Sequence, residues 1–296
     1  MAKELSHLSS RHHYIPQFYI KGFTDSQELL YVYKKTRDCI ERNKGAKGVF
    51  YKKDPNTIIH NCEHISIIED YTFSKTDDSL AKMFAPIGVL PNDGSLMNDT
   101  NRAVVKAMIV ELFWRNPAND PIYNEMHGRA TVNFRNVATG EMYQDSRREE
   151  QYKKDPMFKM IGRAGMSVKA LQDIGAKKLS GWGFSKFWTF EKPVFVISDY
   201  PILFRKPPES HQDLFAGELY LPITHSRLYA THQFEGTHLT ESDTPILNAL
   251  LIAQSSEMVC SPSLQLLENA INCYKKIKQT EMLAYHTDRI FRKVAT

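Results

Sequence analysis

Residues 29–41 read LLYVYKKTRDCIE. Leu29-Leu30-Tyr31-Val32-Tyr33 is an apolar run of branched and aromatic side chains, which suits a half-buried pleated surface. Lys34-Lys35-Thr36-Arg37-Asp38 is polar and turn-like, and Cys39-Ile40-Glu41 returns as a partner strand. Around this hairpin, residues 11–73 read as β-rich. Residues 13–20 enter as a strand or extended segment, 43–48 form a glycine-containing loop, and Val49-Phe50-Tyr51 is a further apolar stretch.

Residues 77–178 read as helical. Asp77-Asp78-Ser79 and Asn98-Asp99-Thr100 are cap-like clusters. Val104, Val105, Met108, Ile109, Leu112 and Phe113 then recur at helical spacing. Residues 123–136, and 157–179 after Pro156, read as two more helices. Beyond them strands at 181–190, 193–197, 218–221, 226–231 and 258–260 mix with helices at 245–254 and 263–276, and 279–296 reads as a basic, loosely packed end. The prediction is an α+β fold: a mixed sheet from N- and C-terminal strands with a largely helical middle region. It is read as a single elaborate domain over 1–296, with a helical sub-lobe at 77–180.

The composition is ordinary for a folded protein, with 42% hydrophobic residues. The 38 basic and 34 acidic residues leave a net charge of +4, which permits a nucleic-acid partner without demanding one. Cys39, Cys62, Cys260 and Cys273 form no CxxC pair and read as reduced thiols. The opening MAKELSHLSSRHH is polar, and no stretch approaches the roughly 18 apolar residues of a membrane span. The expectation is a cytoplasmic protein with no membrane partner.

Three stretches carry chemistry. His12 and His13 precede YIPQFYIKGF; neighbours on a strand face opposite sides, so one imidazole can serve a site while the other packs. Ser198-Asp199-Tyr200-Pro201 ends an apolar run, a place where a carboxylate is held rigidly, and equally an ordinary turn. Arg115 in Trp114-Arg115-Asn116-Pro117 ends a helix, where a cation offsets the dipole or grips a phosphate.

HHYIPQFYIKGF resembles the opening signature, His-His-x-x-Pro-x-x-Tyr-Leu-x-x-Phe, of a bacterial family catalogued as domain of unknown function 4238. His12, His13, Pro16, Tyr19 and Phe23 match it, with Ile20 in place of Leu. VFYKKD, WRNP, VISDYP, LYLPITHSRL and LIAQSSEMVCSP resemble later family segments in the same order. The family places a glutamate in the first helix where this chain has Asp77 and Asp78; either aspartate can substitute with a shorter reach.

The resemblance implies no reaction, so the chemistry is read from the matched residues. Imidazole, carboxylate and guanidinium together fit a metal-assisted hydrolase, best a nuclease acting on phosphodiesters, of the kind used in bacterial anti-phage defence. In that reading His12, His13 and Asp199 are catalytic, Arg115 and Ser198 bind substrate, and Asp78 and Asp199 hold a divalent Mg²⁺ or Mn²⁺. The expected partner is nucleic acid or a nucleotide. The His-His-apolar-apolar-Pro stretch is also similar to the first strand of HNH-type nucleases, with His60 and His64 as distant candidates. The alternative is a non-catalytic module binding a nucleotide, peptide or nucleic acid. No GxSxG elbow or Gly-rich phosphate loop is present.

Overall fold

The computed structural model describes residues 11–53, 58–60, 63–65, 68–91, 96, 98–175, 184–211, 213–232 and 239–292. The elements run β1 (Arg11–His13), α1 (Gln17–Lys21), β2 (Leu29–Lys34), β3 (Cys39–Gly45), β4 (Tyr51–Lys53), β5 (Ile58–His60) and β6 (Glu63–Ile65). A π-helical turn, Ile68–Phe73, leads into α2 (Ser74–Val89), followed by α3 (Asp99–Trp114), α4 (Asp120–Arg129), β7 (Phe134–Arg135), β8 (Met142–Tyr143), α5 (Ser146–Lys154) and α6 (Pro156–Gly175). The last third holds β9 (Phe184–Thr189), β10 (Ile197–Ser198), β11 (Leu203–Phe204), α7 (Asp213–Ala216), β12 (Leu219–Thr224), β13 (Arg227–His232), α8 (Thr244–Gln254), β14 (Met258–Ser261), α9 (Leu264–Gln279) and α10 (Leu283–Phe291). The fold is α+β with a largely helical middle.

The hairpin forms as read, with Tyr33 opposite Ile40 and Lys34 opposite Cys39. Its other edge takes β14, and β14 takes β10, so strands from both chain ends share one antiparallel sheet, β10-β14-β2-β3. A second antiparallel sheet runs β11-β12-β13-β9. Lys35, just past β2, donates to the carbonyls of Ile252, Ala253 and Ser255 and so closes the C-terminal end of α8 onto the hairpin. Arg227 closes the end of α2 in the same way, through the carbonyls of Ile87 and Leu90.

α3 is the central helix. Asn98 caps it by accepting from Asn101 N at 2.8 Å. From Val104 to Trp114 every side chain is buried, as expected of a helix walled in on all sides. α2 adds Leu80, Phe84 and Ile87 to the same core, while Ile68, Phe73 and Ala164 form a small second cluster. Among the described residues no helix is long and apolar enough to cross a membrane.

The structure differs from the sequence reading in several places. The strand at residues 13–20 stops at His13, because Pro16 starts α1: Tyr19 and Ile20 both donate to its carbonyl at 3.1 Å. The Tyr19 hydroxyl then donates to the Pro222 carbonyl, fixing α1 on β12. α2 begins before Asp77, as a continuation of the π-helical turn. The helix expected at 123–136 ends at Arg129 and gives way to the β7–β8 hairpin, whose Gly140 sits at φ 75°. The C-terminal segment is not loose: it forms α10, with Ile290 and Phe291 buried.

The strand expected at 193–197 pairs only at Ile197 and Ser198. Val194 and Phe195 instead donate to the His225 carbonyl. Val196 N donates to Asn248 Oδ1 at 3.2 Å, and Asn248 Nδ2 donates to the Val194 carbonyl at 2.7 Å. A fully buried amide on α8 therefore does the work of a strand neighbour. Asn248→Ala leaves both backbone groups unpaired and is expected to lower stability by about 2–4 kcal/mol; urea denaturation measures it, and a loss under about 0.5 kcal/mol contradicts this role.

Candidate active site

Arg115, at the C-terminal end of α3, is 3% exposed and gathers three carboxylates. Its Nη1 lies 2.6 Å from Asp77 Oδ1 and 3.2 Å from Glu111 Oε1, and its Nη2 lies 3.5 Å from Glu69 Oε1. The guanidinium also sits over the Phe73 ring, 4.4 Å from its centroid. The π-helical turn supplies Glu69 and Phe73, α2 supplies Asp77, and α3 supplies Glu111 one helical turn before Arg115.

One cation thus faces three carboxyl groups. Burial pushes Glu111 and Asp77 up from the usual carboxylate range, with Arg115 opposing the rise in each case. Burial alone would lower Arg115; Asp77, Glu111 and Glu69 reverse this and hold it firmly protonated. Glu111 is sealed, with the Ser167 hydroxyl facing it, whereas the side chains of Asp77 and Glu69 keep 24% and 17% of their surface. Asp77 is the carboxylate of this group most open to a ligand.

β1 pairs with β4, setting His12 opposite Lys52 and His13 opposite Tyr51. Both imidazoles are buried. His13 is the one that feels Arg115: burial first, then that guanidinium, lower its pKa from 6.5 to about 4, against the raising effect of the Lys47 and Ala46 backbone. Gln17 Nε2 lies 3.3 Å from His13 Nδ1.

Asp199 lies nearby in the sense that Asn116, next to Arg115, donates to its backbone carbonyl at 2.6 Å. The WRNP and SDYP stretches interlock further through Tyr200, whose hydroxyl donates to Asn119 Oδ1 at 2.9 Å. Yet the Asp199 carboxylate is occupied. Oδ1 accepts from Ser256 N, and Oδ2 accepts from Glu257 N and Met258 N. The carboxylate expected to be catalytic and metal-binding thus fastens the turn before β14. Ser198, expected to bind substrate, faces its own turn. It is fully buried, and its hydroxyl donates to the Tyr200 carbonyl while accepting from Tyr200 N.

Among the described residues the expected metal donors are not gathered at one point. Both Asp199 oxygens accept from backbone N–H groups, and Asp78 is exposed on α2 while its neighbour Asp77 faces Arg115. The remaining carboxylates converge on a guanidinium. Among the described residues no group of three or more His, Cys, Asp or Glu is placed to hold a metal ion. His60 and His64 sit in the β5–β6 hairpin, and their side chains lie outside the described residues.

Around the histidine strand the surface is basic. Arg11 is opposite Lys53, Lys52 is opposite His12, and all three cations are exposed. Arg42, Lys44 and Lys47 are exposed on the chain leading into β4.

The family model described as Protein of unknown function (DUF4238) matches residues 11–263. The chain belongs to that family. The family inferred from the His-His-x-x-Pro opening is the family matched, and the match spans every element from β1 to β14. Nothing matches among the curated proteins or among the solved structures.

Of the residues read from the sequence, Arg115 meets Asp77 rather than Asp78, and its charge acts on His13. Glu111 was readable, since it precedes Arg115 by four positions on a helix. Glu69 carried no signal, because a π-helical turn has no pattern that a sequence scan detects.

Two outcomes test this geometry. Arg115→Gln strands Glu69, Asp77 and Glu111 without a counter-charge and is expected to cost about 3–5 kcal/mol at pH 7. The cost shrinks as the pH falls and Asp77 and Glu111, both raised by burial, take up protons, so equal losses at pH 7 and at low pH in urea denaturation would contradict the cluster. His13 titrates lower in the folded chain than in the unfolded one, so between pH 4 and 6.5 the unfolded chain binds more protons. Its contribution is complete above about pH 6.5 and is lost as the pH falls toward 4, up to about 3 kcal/mol in all. The stability difference between wild type and His13→Phe should follow that slope; a flat difference would refute a buried neutral His13.

Proposed function

We propose that this protein is a hydrolase of phosphodiesters, a nuclease, working with Asp77 and His13 under the control of Arg115. The observation that carries this reading is the half-open carboxylate of Asp77, held by a buried guanidinium that also acts on a neutral, buried imidazole. A carboxyl pushed up by burial is a better base near neutral pH than a free aspartate. In the proposed step Asp77 takes a proton from a water whose oxygen attacks phosphorus; the P–O bond to the leaving alcohol breaks, and its oxygen takes a proton from solvent water. His13, buried with its Nε2 closed to solvent, acts as a positioning residue for the β1–β4 ribbon. Arg11, Lys52 and Lys53 hold the backbone phosphates on either side. The proposed setting is the bacterial cytoplasm, with phage nucleic acid as a target.

A second reading has its own support. Arg115 and Asp199 have partners within the chain, so the basic ribbon alone suffices for a module that binds nucleic acid without cutting it. Incubating the purified protein with single- and double-stranded DNA and RNA separates the two, with Mg²⁺, with Mn²⁺ and with chelator. The nuclease reading expects cleavage that falls about 100-fold or more in Asp77→Asn and in His13→Gln, and that Asp78→Asn leaves unchanged. Cleavage that requires Mg²⁺ or Mn²⁺ and fails in Asp78→Asn restores the metal-assisted mechanism. Binding without cleavage in every condition, with all variants folded, gives the binding module.

A further inference from the structure

A cavity of about 870 Å³ lies away from Arg115, between α10 and the β11–β12 side of the second sheet. That volume falls in the range of small-molecule sites. The far end of α10 is fixed: Ile290 and Phe291 are buried, the Tyr220 and Phe291 rings lie 4.8 Å apart, and the Tyr220 hydroxyl donates to the Ile290 carbonyl at 3.0 Å. The near end stays open, with Leu283 41% exposed at the mouth.

The polar wall is built around one carboxylate oxygen. Asp288 Oδ1 lies 3.2 Å from Arg205 Nη2 and 2.7 Å from Arg292 Nε. Arg205 is held in place by its other arm, 2.5 Å from Glu218 Oε2, and exposed Lys206 lines the same cavity. Three cations therefore face two carboxylates, one of which is committed to Arg205 from behind. Two guanidiniums meeting at one half-exposed carboxylate oxygen form an anion site filled by a side chain of the protein itself. A phosphate monoester carries more charge than a carboxylate and has three acceptor oxygens. It can displace Asp288, while Leu283 and Ala284 offer an apolar surface to the rest of the ligand.

We propose that this cavity is a second, separate site, which binds a phosphomonoester of mononucleotide size with its phosphate between Arg205 and Arg292. The proposal stands whether or not the Arg115 site cuts phosphodiesters. Calorimetric titration of the full chain with adenosine 5′-monophosphate, inorganic phosphate and adenosine tests it. Both phosphorylated probes are expected to bind and adenosine to give no heat. Arg292→Gln, on an exposed residue, should weaken binding by about tenfold or more. Asp288→Asn removes the internal competitor and should tighten binding several-fold, a change that general charge screening alone does not produce at one residue. No heat at millimolar ligand in wild type and in Asp288→Asn overturns the proposal. So does binding that survives Arg292→Gln unchanged, or binding abolished by Asp77→Asn, which would put the ligand at the other site.

Discussion

The buried guanidinium of Arg115 ties together three pieces of chain at one point. The π-helical turn, α2 and α3 each present a carboxylate to it, and Phe73 covers its face. Taking one cation and three anions out of water costs several kcal/mol per ion, and their attraction repays that only partly. Packed apolar side chains would join the same elements at no such cost. A structural explanation therefore accounts for where the helices lie but not for why the junction is ionic. In this junction burial raises the Asp77 carboxyl while Arg115 opposes the rise, and burial together with Arg115 lowers His13, so the cation holds one group and acts on the other.

The location of that junction follows from the fold around it. α3 runs through the core and delivers Arg115 and Asn116 to the turn after β10, where Asn116 meets Asp199. β1 and β4 lie beside it as a separate two-stranded ribbon, outside both larger sheets. A ribbon of this kind is free to present its outer residues to solvent, and those residues are Arg11, Lys52 and Lys53. The three-residue pairing thus exposes its cations while burying His12 and His13.

Much of the architecture was legible in the sequence because it rests on local patterns. The 29–41 hairpin and the capped α3 with its apolar positions at helical spacing follow from periodicity and composition. The errors share a cause, which is that a distant side chain satisfied a backbone whose local pattern pointed elsewhere. Residues 194–196 have strand composition, yet Asn248 and the His225 carbonyl take their hydrogen bonds. The C-terminal segment is polar enough to read as loose, yet two residues, Ile290 and Phe291, suffice to anchor it. At the site, motif residues were found but their jobs were not, since Pro16, Tyr19 and Ser198 serve turns and helix placement.

Asp77 and Asp199 show why roles could not be assigned from residue type. Both are aspartates withdrawn from bulk water, and burial raises both. Asp199 meets three backbone N–H groups, which are neutral dipoles from a fixed turn; they engage both of its oxygens. Asp77 meets a single guanidinium through one oxygen and keeps part of its surface. The difference lies in geometry set by residues 57 to 59 positions away in one case and 38 in the other. A carboxylate bound by several dipoles is a fastener, whereas one bound on a single side by a full charge is oriented and still available. On that criterion, Asp77 rather than Asp199 is the carboxylate around which chemistry in this fold can be built.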